Sequence, residues 1–264
     1  MADSAETVLI TGASSGIGEE LAKVFAEHGY DLVLVARSED KLEQLADQLA
    51  AEHNVAISVR PLDLSRKGSA SKLARGLERE GYAVDILVNN AGVLQHGAFV
   101  DMAPADHQRM VQLNVAGLTD LLAHFLPAMV ERGTGRVLNV ASIASFLPVP
   151  SLVTYAATKA YVLSLGEALA EELRGSGVTV TTLCPGVTET NMVDKAMSES
   201  EGLKLPGIVI GDAASVARQG FKACIKGETI VVPGTLNQAL TLTARSTPKW
   251  LLQRLTGLMG RSTL

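Results

Sequence analysis

Residues 7–18, "TVLITGASSGIG", decide the fold. Thr7 to Ile10 read as a short buried strand, Thr11 to Gly18 hold three glycines and two serines, and "EELAKVFAEHGY" (19–30) has the apolar spacing of a helix. A strand passing through a glycine-rich turn into a helix is the opening of a parallel α/β sheet, in which ligands bind beyond the carboxyl ends of the strands. Gly12, Gly16 and Gly18 let the backbone bend tightly, let a pyrophosphate approach and let the helix pack close to the strand. The helix N-terminus adds N–H groups and a dipole that attract an anion. The turn's Ser14, Ser15 and Ile17 belong to the same cradle. Its spacing, G-x-x-x-G-x-G, differs from G-x-G-x-x-G, and no G-K-[S/T] closes it as in a P-loop. Glycines alone also suit an ordinary turn, so the rest of the chain has to decide.

Outward from that turn the alternation repeats. Strand runs "DLVLVA" (31–36), "AISV" (56–59), "DILVN" (85–89), "RVLNVA" (136–141), "VTVTTLC" (178–184) and "TIVV" (229–232) are separated by segments of helical period at 39–53, 65–80, 104–131, 155–174 and 212–226. Helix-length connections mean parallel neighbours, and runs that are apolar on both faces mean a sheet covered on both sides. The expected fold is a doubly wound, three-layer Rossmann-type α/β domain with a seven-stranded parallel sheet. No linker or composition break divides residues 1–234, which read as one catalytic domain with a substrate loop at about 187–210. Residues 235–264 form a basic, apolar C-terminal extension, expected to be helical.

Composition narrows the function. The 264 residues are 47% hydrophobic and carry a net charge of −5, which suits a substantial core and argues against nucleic acid as a partner. The N-terminus lacks a signal-peptide pattern and no uninterrupted apolar run reaches the roughly 18 residues of a membrane span, so a cytoplasmic location is expected. Cys184 and Cys224 are far apart, and the five histidines show no ligand spacing, so no metal site is expected.

The end of the second strand reports on the ribose. A free 2′-hydroxyl usually meets an Asp or Glu there, and a 2′-phosphate an Arg. Here "VLVARS" supplies Ala36 and Arg37, whose guanidinium grips a phosphate with two hydrogen bonds, so NADP(H) is expected over NAD(H). Helix 155–174 opens "YAATKAY", which puts Tyr155 and Lys159 on one face, and "NVAS" delivers Ser142 to the crevice side. A phenol with an ordinary pKa near ~10 needs roughly 4 kcal/mol to titrate near 7, which a neighbouring ammonium and an oxidised nicotinamide are expected to supply in large part.

These stretches resemble the short-chain dehydrogenase/reductase family in its compact, single-domain branch: "TGASSGIG" at 11–18, "NNAG" at 89–92, Asn114 in "LNVAG", Ser142 followed by "YAATK", and "PGVTET" at 185–190. They come in the family's order and span residues 7 to about 232. The resemblance implies Tyr155 as general acid/base, Ser142 as hydrogen-bond donor to the reacting oxygen, Lys159 as holder of the nicotinamide ribose, and Asn114 as support for a water relay behind the lysine. It also implies an adenine contact from Asp63, cofactor binding by the adjacent Leu64, and Asn90, Ala91 and Gly92 lining the adenosine half. Thr188 and Thr190 fall near the carboxamide, and Pro185, Gly186 and Val187 belong to the same cofactor-binding stretch. Arg37 departs from the acidic residue of many relatives.

The segments expected around the substrate supply Leu94, Phe146, Leu147, Val149, Leu152, Met192 and Met197, which favours an apolar or amphipathic carbonyl or alcohol substrate. Helix 155–174 is apolar around much of its circumference, and the resemblance implies a homodimer or homotetramer packed through it. The extension carries Arg245, Lys249, Arg254 and Arg261 with no acid. A helix docked on its own or a neighbouring subunit is preferred there to peripheral membrane contact. The alternative to an enzyme is a non-catalytic NADP-binding scaffold or sensor, which needs the glycines but not Ser142, Tyr155 and Lys159.

Overall fold

The computed structural model describes residues 5–188 and 211–247. The strands are β1 (Thr7–Thr11), β2 (Asp31–Ala36), β3 (Ile57–Pro61), β4 (Ile86–Asn89), β5 (Gly135–Val140), β6 (Val178–Leu183) and β7 (Ile230–Val231). They form one sheet in the order β3-β2-β1-β4-β5-β6-β7, every pairing parallel. The helices are α1 (Gly16–Glu27), α2 (Glu39–His53), α3 (Ser69–Arg79), α4 (Pro104–Val111), α5 (Leu118–Arg132), α6 (Val153–Glu172), α7 (Ala213–Lys226) and α8 (Thr235–Ser246). The seven-stranded doubly wound sheet is the one the alternation predicts.

Period-two alternation with apolar residues on both faces explains the layers. Val8 and Ile10 of β1, with Leu32 and Leu34 of β2, face α1, α2 and α7 and pack with Phe25, Leu42 and Phe221. Leu9, Val33 and Val35 face the other way and pack with Leu73, Leu122 and Val162 of α3, α5 and α6. The chain winds outward from β1 to β2 and β3 on one side and from β4 to β7 on the other, so the carboxyl ends of β1 and β4 border a crevice.

Three helix boundaries differ from the sequence reading. The segment expected at 65–80 becomes helical only at Ser69, because the Asp63 carboxylate accepts from the Ser65 backbone N–H at 3.0 Å and holds a turn there. The segment at 104–131 is interrupted by a π-helical turn, Gln112–Gly117, between α4 and α5. The segment at 155–174 begins two residues earlier, at Val153. The continuous helical stretch Pro104–Arg132 is long and apolar enough to cross a membrane by length and composition. Here Leu118, Leu122, Phe125 and Met129 of that stretch are buried against the sheet. The described part of the C-terminal extension is helical, and α8 packs against the turn that follows Ser142.

Candidate active site

The crevice begins at the glycine turn. Gly12 and Gly16 have φ of +67° and +59°, a region that side chains disfavour. A Cβ on Gly12 would lie 2.8 Å from Asn90 Nδ2, and one on Gly18 would overlap Asn90 and the Gly12 carbonyl. Asn90 is the reason: its Nδ2 donates to the carbonyls of Thr11 and Gly12 at 2.9 and 3.2 Å. Thr11 Oγ1 in turn accepts from the backbone N–H groups of Asn90 and Ala91, both at 3.0 Å, and donates to Val88 O. Two walls far apart in sequence are thus stitched together. No side chain caps α1, whose N-cap residue is Ser15, so its first-turn N–H groups remain for an anion.

Gly12, Ser14, Ser15, Gly16 and Ile17 line one end of the crevice, and Asn90, Ala91 and Gly92 its floor. Arg37, with Ser38, and Asp63, with Leu64, line the end beyond β2 and β3. The Asp63 carboxyl is held below the usual carboxylate range, chiefly by the hydroxyl of Ser65, with the charges of Arg37 and Arg66 acting in the same direction. Gly18 is buried behind this surface, where it permits close packing.

The other end of the crevice carries the reactive groups. Ser142 follows β5, and its hydroxyl accepts from the Ala144 N–H at 3.1 Å while hydrogen-bonding Tyr155, which α6 presents from its first turn. Lys159, one turn further, is buried and donates from Nζ to Val140 O at 2.7 Å. An ammonium has three N–H donors, so two remain for a ligand. Burial pulls Lys159 down to about 8 and pushes Tyr155 up to about 12, with Ser142 pulling the phenol the other way. The ammonium sits 5.8 Å from the ring centroid and donates to a strand carbonyl, so desolvation of the phenolate dominates.

Asn114 lies in the π turn and is buried outside the crevice lining. Its Oδ1 accepts from Val93 N, and Nδ2 donates to Val93 O, each at 2.9 Å, and to Thr158 Oγ1 at 3.1 Å. Both amide hydrogens are committed, so the side chain braces the wall at residue 93. Pro185, Gly186 and Thr188 line the crevice, and Asn237 of α8 backs Gly186. Val187 O instead accepts from Gly211 N at 2.7 Å. Thr190, Met192 and Met197 lie outside the described residues. Phe146 packs against the core shared by α5 and α6. Sequence reasoning missed Arg109, an exposed residue of α4 lining the crevice; its only signal was a position one helical turn before Leu113, which lines it as well.

A doubly wound sheet whose switch-point crevice joins an uncapped glycine turn to a Ser–Tyr–Lys cluster defines a dinucleotide-binding oxidoreductase class. The family description "short chain dehydrogenase" matches residues 6–201, and the chain belongs to that family. It is 37% identical over 196 residues to the oxidoreductase UcpA of Salmonella typhimurium, covering 74% of each chain. It is 35% identical over 241 residues to the ketoacyl reductase HetN of a Nostoc species, covering 89% of this chain and 82% of that one. Among solved structures, a short-chain dehydrogenase from Sphingobium yanoikuyae in complex with NADPH superposes with a TM-score of 0.80 at 34% identity, covering 92% of this chain and 97% of that one.

Proposed function

We propose that this oxidoreductase transfers a hydride between NADP(H) and the carbonyl or alcohol carbon of an apolar or amphipathic substrate, with Tyr155 as general acid/base. The observation that carries the reading is the Ser142–Tyr155 hydroxyl pair beside buried Lys159, in one crevice with the glycine turn and Arg37. The NADPH complex of the Sphingobium relative supports the cofactor class. The open α1 N-terminus and the backbone around Gly12 fit a diphosphate, and the Arg37 guanidinium at the far end fits a 2′-phosphate.

When bound, the nicotinamide supplies or accepts the hydride. The residues of the chain do the rest. Ser142 and Tyr155 present hydroxyl groups to one oxygen, and donors held ready where negative charge develops lower the barrier to a carbonyl becoming an alkoxide. With its pKa pushed up to about 12, Tyr155 keeps its proton at neutral pH, the state that carbonyl reduction requires. Lys159, fixed by Val140 O, offers its two remaining N–H groups to ribose hydroxyls.

The same reading includes a cytoplasmic homo-oligomer. Its support is the outer face of α6, where Ala157, Tyr161, Ser164 and Ala168 are exposed at helical spacing, small or amphipathic enough to pack against a second copy. Light scattering on a size-exclusion column tests it, and a monomer at micromolar concentration refutes it. The enzymatic reading is tested by NADPH oxidation against a panel of ketones, aldehydes and quinones, with NADH in parallel. Tyr155→Phe should abolish turnover while retaining NADPH binding. A wild-type protein that binds NADPH and turns over nothing in the panel would instead be a scaffold.

A further inference from the structure

His107, on α4, takes no part in the chemistry above. Its Nε2 lies 3.2 Å from the carbonyl oxygen of Phe99 and its Nδ1 2.7 Å from Thr154 Oγ1. A carbonyl oxygen only accepts, so Nε2 carries the proton and donates; in the neutral ring Nδ1 then accepts from the Thr154 hydroxyl. The imidazole also packs on the Phe99 ring, centroids 4.3 Å apart and planes at 35°. One side chain therefore ties residue 99 to the residue immediately before Tyr155.

Other bonds pin the same segment. Gly97 N donates to Ser151 O at 2.9 Å, and Ser151 is a buried, non-glycine residue with φ of +64°. A side-chain-bearing residue holds such a conformation only where its surroundings over-determine it. At the near end, Asn114 brackets Val93 with two hydrogen bonds. Val93 lines the crevice and residues 94–99 run on from it without regular structure; the segment is fastened at 93, 97 and 99, twice against the loop and first turn that carry Tyr155. The exposed side chains of Phe99 and Val100 at its tip are 55% and 87% accessible, so core packing does not hold the tip in place.

Resting on the proposed reaction, we propose that His107 is a positioning residue that sets the distance between Tyr155 and the 93–99 segment, which enters the crevice at Val93, and so fixes the width of the substrate end for carbonyl compounds with bulky apolar substituents. The imidazole spans the two elements with one donor and one acceptor, and its ring stiffness keeps the gap constant. Thr154 transmits that position to α6 without touching the reacting atoms.

The test compares wild type with His107→Ala, His107→Gln and Thr154→Val on two ketones, one of four carbons and one diaryl, using NADPH. Expected for His107→Ala and Thr154→Val is a KM for the diaryl ketone raised about tenfold, with KM for the small ketone, kcat and NADPH Kd within about threefold of wild type. His107→Gln, whose amide N–H reaches the Phe99 carbonyl, should recover part of the loss. Amide hydrogen exchange, which needs no substrate, should quicken at residues 94–103 in His107→Ala. The proposal is overturned if both ketones behave as in wild type, if exchange is unchanged, or if KM, kcat and NADPH Kd all worsen together, the mark of a merely structural role. A wild type that is active, is silenced by Tyr155→Phe and is indifferent to His107→Ala overturns this inference alone. A wild type without turnover on any carbonyl overturns the reaction and the role of His107 in it.

Discussion

Replacing Lys159 by Met should change how the stability of the protein depends on pH. The Lys159 ammonium is buried and its pKa is lowered from 10.5 to about 8. Below about pH 8 the folded and unfolded chains both hold the proton, and the fold bears the full cost of a desolvated charge. Between about 8 and 10.5 the unfolded chain still holds a proton that the folded chain has released, so stability rises with pH; above that window it levels off. A shift of that size corresponds to about 3 kcal/mol, of which about 2.5 kcal/mol is gained between pH 7 and pH 10. Tyr155 and Cys224 work in the opposite sense: burial pushes both up to about 12, so the unfolded chain loses their protons first and stability falls as pH rises above 9 to 10. Wild type and Lys159→Met share those two losses, so the difference between their unfolding free energies isolates the lysine. The missing hydrogen bond to Val140 O adds an offset independent of pH. Urea unfolding followed by circular dichroism, ligand-free and at one protein concentration from pH 7 to pH 10, measures it. Wild type should gain about 2.5 kcal/mol on the variant across that range, and a difference constant to about 0.5 kcal/mol would refute a buried ammonium.

Three further outcomes are expected. Arg37→Ala should weaken NADPH binding about 10- to 100-fold, the loss of a charge-assisted pair, while leaving NADH nearly unchanged; combined with Ala36→Asp it should invert the preference, and equal effects on both cofactors in a fluorescence titration would remove Arg37 from the phosphate site. Gly18→Ala drives a methyl group into Asn90 and the Gly12 carbonyl and should cost about 1–3 kcal/mol or more; an unchanged urea midpoint would contradict the packing. Asn114→Ala frees the Val93 backbone and should cost about 1–3 kcal/mol, with faster hydrogen exchange at Val93; retention of wild-type protection there would exclude the bracing role.

Much of the architecture was legible because it is written in local periodicity. Runs such as Asp31–Ala36, apolar on both faces, specify a buried parallel strand whatever their neighbours are, and helix-length connections leave few topologies open. The boundaries that failed depend on single side-chain bonds. The Asp63 carboxylate on Ser65 delays α3, and nothing in "LDLSRKGS" separates that turn from a helix start. The π turn at Gln112–Gly117 likewise leaves no mark in the apolar spacing.

The sequence by itself determined the sheet, the place of the glycine turn and the pairing of Tyr155 with Lys159, since each depends on residues within a turn or two of one another. Only the tertiary structure decided what those residues experience. Asn90 explains Gly12 and Gly18 from almost eighty positions away. Val140 holds the ammonium, Val93 occupies the Asn114 amide, and burial pushes the phenol up. Desolvation and hydrogen-bond partnership belong to the folded surroundings of a group, and distant strands and loops supply those surroundings only once the chain has closed on itself.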